Sequence, residues 1–210
     1  MPRPLAPTDL PPHRAPPPPP LAVGAVPLVR HPDHPARAVL RIHAAVVVEA
    51  DLRLTLHYHL RGRLDALRVP TPDHALPADR LWAHTCFEVF IARSGSPAYR
   101  EFNFSPSGQW ASYLFDDYRA RIDALPPAPP RLEVLRSGDL LSLSATLDAD
   151  ALPAGMTAQT LDELRLGISA VVEAADGRLS YWALAHPAER PDFHDARAFC
   201  WQAPEPDPYF

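Results

Sequence analysis

Residues 52–60 read LRLTLHYHL, so that every second side chain along this stretch is apolar. A β-strand has a side-chain period of two, which places the leucines and Tyr58 on one face and Arg53, Thr55, His57 and His59 on the other. The pattern therefore predicts a strand with one buried and one solvent-exposed face. Residues 39–49 show similar alternation and predict a second strand of the same kind.

Turn-forming residues divide much of the remaining chain into hairpins. The predicted turns are Pro106-Ser107-Gly108 between strands 99–105 and 109–115, Ser137-Gly138-Asp139 between 131–136 and 140–147, and Asp176-Gly177 between 166–175 and 178–184. Gly, Pro, Ser and Asp are the residues that tight turns require. Successive hairpins, with loops at 67–80, 125–130 and 148–161 and one short helical turn near 160–164, favour an all-β fold. We predict an antiparallel β-sandwich of jelly-roll or immunoglobulin-like type.

Proline is concentrated at the N-terminus of this 210-residue chain, which contains 28 prolines and the run Pro16 to Pro20. Such a stretch favours polyproline II and cannot build a packed core. We therefore expect residues 1–20 to be a disordered tail and residues 21–210 to form one domain.

Charge and residue usage exclude several functions. The net charge is −5, and all 20 cationic residues are arginine. Without lysine there is no Walker-type lysine and no Schiff-base lysine, and without a basic stripe we expect no nucleic-acid partner. Cys86 and Cys200 lack the spacing of a zinc or redox motif, so we expect two buried thiols.

No segment approaches the ~20 apolar residues of a membrane helix. The apolar run from Leu21 to Val29 is interrupted by Pro27 and followed by no cleavage motif, so we expect neither a signal peptide nor a membrane association. We predict a cytoplasmic protein, and the bias toward Ala, Pro and Arg indicates a GC-rich, bacterial coding sequence.

The sequence offers no recognisable catalytic motif, and we expect a binding protein rather than an enzyme. The G-x-S-x-G, H-E-x-x-H and G-x-G-x-x-G patterns are absent. Asp116 and Asp117 are adjacent and would point to opposite faces of a strand, so a surface turn suits them better than paired catalysis. His57 and His59 share a strand face, but two ligands are too few for a typical metal site, and a solvated face is the simpler interpretation.

Large aromatic side chains lie beside predicted turns and loops. Trp82, Trp110, Tyr181 and Trp182 could stack on a flat ligand, although a core position is the common alternative for a tryptophan in a sandwich. In the predicted strand 85–91, Glu88 shares a face with Cys86 and Phe90, so its carboxyl needs a ligand or a salt bridge.

Two longer strings resemble the DOMON-like domain family, which is related to family 9 carbohydrate-binding modules and to the haem b cytochrome domains. These strings are LWAHTCFEVFI at 81–91, continued by YREFNFSPSGQW at 99–110, and SYWALAHP at 180–187, continued by PDFH at 191–194. The resemblance covers roughly residues 28–202. It implies a sandwich that holds a ligand at an open edge.

The resemblance to the sugar-binding relatives implies one set of binding residues. Trp82 and Trp182 would clamp a sugar, Glu88 and Asn103 would bind its hydroxyls, and His186 and His194 would form the rim. Trp110 and Tyr181 complete the predicted aromatic set. Where those modules carry paired acidic residues ahead of the glutamate strand, this chain has His84-Thr85, so we expect no calcium site.

The resemblance to the haem relatives implies a different set. Methionine with histidine or lysine holds the iron in those domains, and this chain has no lysine and only Met156 besides the initiator. Haem would need Met156 with His84, His186 or His194, or two of these histidines. We favour a sugar or similar small ligand without a cofactor, and keep a haem b electron-transfer domain and a structural or interaction sandwich without a ligand as alternatives.

Overall fold

A computed structural model describes residues 20–71 and 78–203. The predicted tail, apart from Pro20, lies outside the described residues. Within them the chain forms twelve strands and a few short 3-10 helices, with no α-helix. The strands are β1 (Ala22–Arg30), β2 (Val39–Val48), β3 (Leu54–Gly62), β4 (Cys86–Arg93), β5 (Tyr99–Phe104), β6 (Trp110–Asp117), β7 (Ala120–Ile122), β8 (Arg131–Ser137), β9 (Leu140–Leu147), β10 (Leu164–Glu173), β11 (Leu179–Ala183) and β12 (Trp201–Gln202). None of the helices described is long and apolar enough to cross a membrane.

All strand pairings are antiparallel, and the strand order is β7-β6-β5-β4-β10-β11-β1-β2-β3-β9-β8, with β12 beside β10. We call β4, β5, β6, β7, β10, β11 and β12 the front sheet, and β1, β2, β3, β8 and β9 the back sheet. Strand β1 pairs with β2 through residues 22–28 and with β11 through Val29 and Arg30, so it passes from the back sheet to the front sheet. The predicted all-β antiparallel sandwich is confirmed.

The three predicted hairpins are confirmed as β5–β6, β8–β9 and β10–β11. The predicted helical turn is the 3-10 helix Ala158–Glu163. The apolar run from Leu21 to Val29, which we did not predict to be a strand, forms most of β1. Leu52 lies outside β3 because its φ of 66° belongs to the preceding turn.

Alternation along β3 buries one face of the back sheet against the front sheet. Leu54, Leu56, Tyr58 and Leu60 are fully buried in the core. On the other face of β3, the Nδ1 atoms of His57 and His59 lie 2.7 Å and 2.9 Å from serine hydroxyls of β9. No group of three or more potential metal ligands occurs among residues 20–71 and 78–203.

The central strands of the front sheet, β4 and β10, are buried on both faces, unlike those of a typical half-exposed sandwich sheet. Every residue of β4 before Arg93 is buried. Part of the face away from the core is covered by the chain that follows β11, which packs Phe199 against Phe90 with ring centroids 5.6 Å apart. Gly167 permits this packing, because a Cβ at that position would overlap the Phe199 ring. The prediction for the thiols is correct for Cys86 and wrong for Cys200, which is exposed.

Candidate ligand-binding groove

A groove of about 630 Å³ remains open on the outer face of the front sheet. Its size falls within the range of about 300–1,000 Å³ that is typical of small-molecule sites. We call it the outer groove, and it is lined by Asp79, Arg80, Trp82, Ala83, Glu88, Phe90, Glu101, Tyr113, Phe115, Arg119, Arg121, Val171, Leu179, Tyr181, Pro191, Phe193 and His194.

Strand register brings the polar floor of the outer groove together. Glu88 on β4 lies opposite Asn103 on β5, Phe90 lies opposite Glu101, and Glu101 lies opposite Tyr113 on β6. Alternate residues of a strand share a face, so all of these side chains project away from the core. Two carboxyl groups consequently occupy neighbouring strands beneath one groove.

Both carboxyl groups are buried. Glu88 is 2% exposed and Glu101 is 4% exposed. Ser169 Oγ donates to Glu88 Oε2 at 3.3 Å, whereas no donor among the described residues reaches Glu88 Oε1. Asn103 Nδ2 donates to Glu101 Oε1 at 2.5 Å. Burial raises the pKa of both carboxyls, and in Glu88 the nearby Glu101 raises the pKa further.

His194 presents a neutral imidazole at the edge of the same floor. The backbone N–H of Arg119 donates to the Tyr99 hydroxyl oxygen at 3.1 Å, and the same oxygen lies 2.8 Å from His194 Nδ1, within hydrogen-bond distance. Burial lowers the pKa of His194 to about 4. At neutral pH the ring is therefore uncharged, and its Nε2 lies 3.7 Å from Glu101 Oε2, too far for a hydrogen bond.

The walls of the outer groove combine aromatic rings with charged groups. The indole of Trp82 is 46% exposed, and the Arg80 guanidinium lies 5.5 Å from its centroid. Tyr113 donates its hydroxyl to Asp79 at 2.6 Å, and Arg121 lies 4.3 Å over the Tyr113 ring. Burial and Asp79 together raise the pKa of Tyr113 to about 12, so its hydroxyl keeps its proton.

The structure brings half of the sequence-predicted ligand-binding residues into the outer groove. Trp82, Glu88, Tyr181 and His194 line it. Asn103 is fully buried beside the floor, where it holds Glu101 rather than facing the groove.

Three predicted residues lie elsewhere. Trp110 and Trp182 are buried in the core between the sheets, where Trp182 Nε1 donates to Ser180 Oγ at 3.2 Å. Residues 181 and 182 are consecutive on β11 and point to opposite faces, so the predicted clamp of Trp82 with Trp182 does not form. His186 Nε2 lies 2.8 Å from the Val29 carbonyl oxygen and does not form the predicted rim.

Sequence reasoning missed Glu101, Tyr113, Arg119 and Arg121. A usable signal existed for Glu101, because it precedes Asn103 by two residues on a predicted strand and must share its face. The two arginines carried no such signal, since β7 was not predicted and only its hairpin with β6 brings them to the groove.

The front sheet separates Met156 from His194, two of the residues that the haem alternative names as iron ligands. Met156 is buried in the core between the sheets, whereas His194 lies on the outer face of the front sheet. His84 Nδ1 lies 2.8 Å from a Glu173 oxygen, and His186 contacts a backbone carbonyl of β1. These residues do not fit a haem held between Met156 and His194.

Comparison with known proteins yields a likeness of fold. No family model and no curated protein matches the sequence. Among solved structures, a protein from Bacteroides uniformis ATCC 8492, described as a "putative carbohydrate-binding protein", superposes with a TM-score of 0.61. The match covers 84% of each chain at 17% sequence identity. At this identity the likeness shows that the two chains share an all-β fold.

Proposed function

We propose that the outer groove binds a carbohydrate without chemically changing it. The observation that carries this proposal is Glu88 Oε1, a buried oxygen without a protein donor in the described ranges, at the floor of an open groove. Buried polar atoms in folded proteins are nearly always hydrogen-bonded, and a ligand hydroxyl would satisfy this one. The solved structure of similar fold supports the same class of ligand through its description.

The chemistry of the groove suits a sugar ring. A pyranose has an apolar C–H face and a rim of hydroxyl groups. Trp82 offers a half-exposed ring for the C–H face. Glu88 and Glu101 offer carboxyl oxygens for the hydroxyls, and the imidazole of His194 offers a further hydrogen-bonding group. The protein therefore presents both the stacking surface and the polar groups that sugar binding requires.

Trp82→Ala tests the proposal. Loss of a stacked ring worth ~1–2 kcal/mol should weaken sugar binding about 5- to 30-fold, as measured by titration calorimetry with a panel of soluble sugars. Because Trp82 is half exposed, its removal should leave thermal unfolding nearly unchanged. Trp182→Ala, which empties a core position, should instead lower the free energy of unfolding by about 3–5 kcal/mol.

The matched binding control is His57→Ala, on the outer face of the back sheet. This variant should bind sugars like the wild type. If no sugar in the panel binds at millimolar concentration, or if Trp82→Ala binds with unchanged affinity, carbohydrate binding in the outer groove is wrong.

A further inference from the structure

Neither of the two buried carboxyl groups of the outer groove forms a salt bridge with an arginine of the described residues. Glu88 and Glu101 lie diagonally on β4 and β5, and both are more than nine-tenths buried. Glu88 Oε1 has no donor in the part of the chain that the structure describes. His194 Nε2 lies 3.7 Å from Glu101 Oε2, but the His194 imidazole is neutral at pH 7 and supplies no positive charge.

The surroundings of these carboxyls suit a positively charged ligand group. Phe90, Tyr113, Phe115, Tyr181 and Phe193 line the same groove. Aromatic faces attract cations, and this attraction grows when water is excluded. Two carboxyl oxygens beneath several rings form a site for an ammonium group, since a buried cation needs both hydrogen-bond acceptors and compensating charge.

We infer that the sugar bound by the outer groove carries a free amino group, whose ammonium binds between Glu88 and Glu101. This inference rests on the proposed carbohydrate-binding function and names the class of sugar. An amino sugar supplies the C–H face for Trp82, hydroxyls for the rim and three ammonium donors for the carboxyl floor.

The groove also contains cations that oppose this assignment. Arg119 and Arg121 lie close enough to lower the pKa of Glu101. Arg119 is itself paired with Asp192 at 2.8 Å. Arg121 lies over the Tyr113 ring, whose hydroxyl binds Asp79. These neighbouring carboxylates and the ring offset the arginines, whereas Glu88 has no cation of its own within the described chain. An acidic sugar held by the arginines is the competing outcome.

Proton release distinguishes an ammonium from a hydroxyl ligand. Burial favours the protonated forms of both carboxyls in the free protein, and in Glu88 repulsion from Glu101 adds to this effect. An ammonium would favour their ionised forms, so binding should displace a proton to the buffer. Affinity should consequently rise as the pH increases above the ordinary glutamate pKa of about 4.3, for as long as the amine keeps its own proton.

The experiment is titration calorimetry with glucosamine, N-acetylglucosamine, glucose and glucuronate, in two buffers of different ionisation enthalpy. We expect glucosamine to bind at least tenfold more tightly than the other three and to release protons on binding. Glu88→Gln should abolish this preference, so that glucosamine and glucose bind this variant with affinities within about threefold of each other. Glu133→Gln, on the exposed strand β8, is the matched control and should behave like the wild type.

Each remaining outcome contradicts the inference in a recognisable way. Equal or tighter binding of glucose, N-acetylglucosamine or glucuronate overturns the amino-sugar assignment and leaves carbohydrate binding intact. Glucosamine binding without proton release, or with its preference retained in Glu88→Gln, overturns the role of the carboxyl pair. Failure of all four sugars to bind counts against both proposals.

Discussion

His194 is buried among the rings of Phe90, Tyr99 and Phe115, with centroids 5.1–5.8 Å away. This burial lowers the pKa of His194 to about 4, from about 6.5 in an unfolded chain. Between these two pKa values His194 is largely protonated in the unfolded chain and largely neutral in the folded chain. Stability contributed by the neutral ring is therefore complete above pH 6.5 and is lost as the pH falls toward 4.

His194→Gln should remove this acid sensitivity, since glutamine can accept the Tyr99 hydrogen bond without titrating. We expect wild-type stability to fall by an additional amount on the order of 2 kcal/mol between pH 6.5 and 4 relative to the variant. Urea unfolding at pH 7, 5.5 and 4.5 measures the difference. His57→Gln on the back sheet should retain the wild-type slope, and identical slopes for His194→Gln and wild type would contradict the assigned cause.

At the scale of single elements, β10 depends on Gly167 because the C-terminal chain packs directly on the sheet at that point. Gly167 lies opposite Phe90 on β4, and the Phe199 ring occupies the space that a side chain at position 167 would take. The strand would otherwise gain from a residue with a side chain, since glycine weakens strands. Its presence therefore reflects close packing over the outer face.

Gly167→Ala should destabilise the protein by about 1–3 kcal/mol, the usual cost of overpacking a buried position. Phe199→Ala removes the obstructing ring, so Gly167→Ala should cost little more in that background. Chemical denaturation of the four proteins in this double-mutant cycle gives the coupling. Additive effects of the two substitutions would show that Gly167 and Phe199 do not meet.

The strands predictable from the sequence are those defined by local signals. Gly108, Gly138 and Gly177 have φ values of 85°, 56° and 86°, a conformation that glycine adopts without strain. Each lies at the turn of a predicted hairpin, so turn and flanking strands were visible together. Strand β7 and the two-residue β12 have no such alternation and were not predicted.

The candidate site was less predictable, because it depends on which face of a strand meets the core. Tyr181 and Trp182 are both large aromatic residues, so their order alone does not reveal which one faces the groove. Glu88 was assigned to the same face as Cys86 and Phe90 because alternate side chains of a strand share a face, although no alternation of polar and apolar residues marks this stretch. The approach of His194 to Glu101 arises from the long chain after β11, and no local pattern encodes that contact.

At the scale of the whole molecule, one hydrogen bond joins the two sheets directly behind the outer groove. Tyr58 on β3 is fully buried, and its hydroxyl donates to the backbone carbonyl of Glu88 on β4 at 2.8 Å. The surrounding core is apolar, so neither atom has water available when the partner is removed. The back sheet thus fixes the backbone of the residue whose carboxyl forms the groove floor.

Tyr58→Phe should lower the free energy of unfolding by about 1–2 kcal/mol, because it removes one buried hydrogen bond while keeping the ring and its packing on Phe87. Equilibrium urea unfolding measures this loss. Tyr118→Phe is the matched control, since the exposed Tyr118 hydroxyl donates to Asp192, and its removal should change stability by less than about 0.5 kcal/mol. Equal effects of the two substitutions would show that the contact between the sheets adds no stability beyond that of a surface hydrogen bond. A larger loss in Tyr58→Phe would show that this buried hydrogen bond stabilises the packing of the back sheet on the front sheet at the backbone of Glu88, directly beneath the floor of the outer groove.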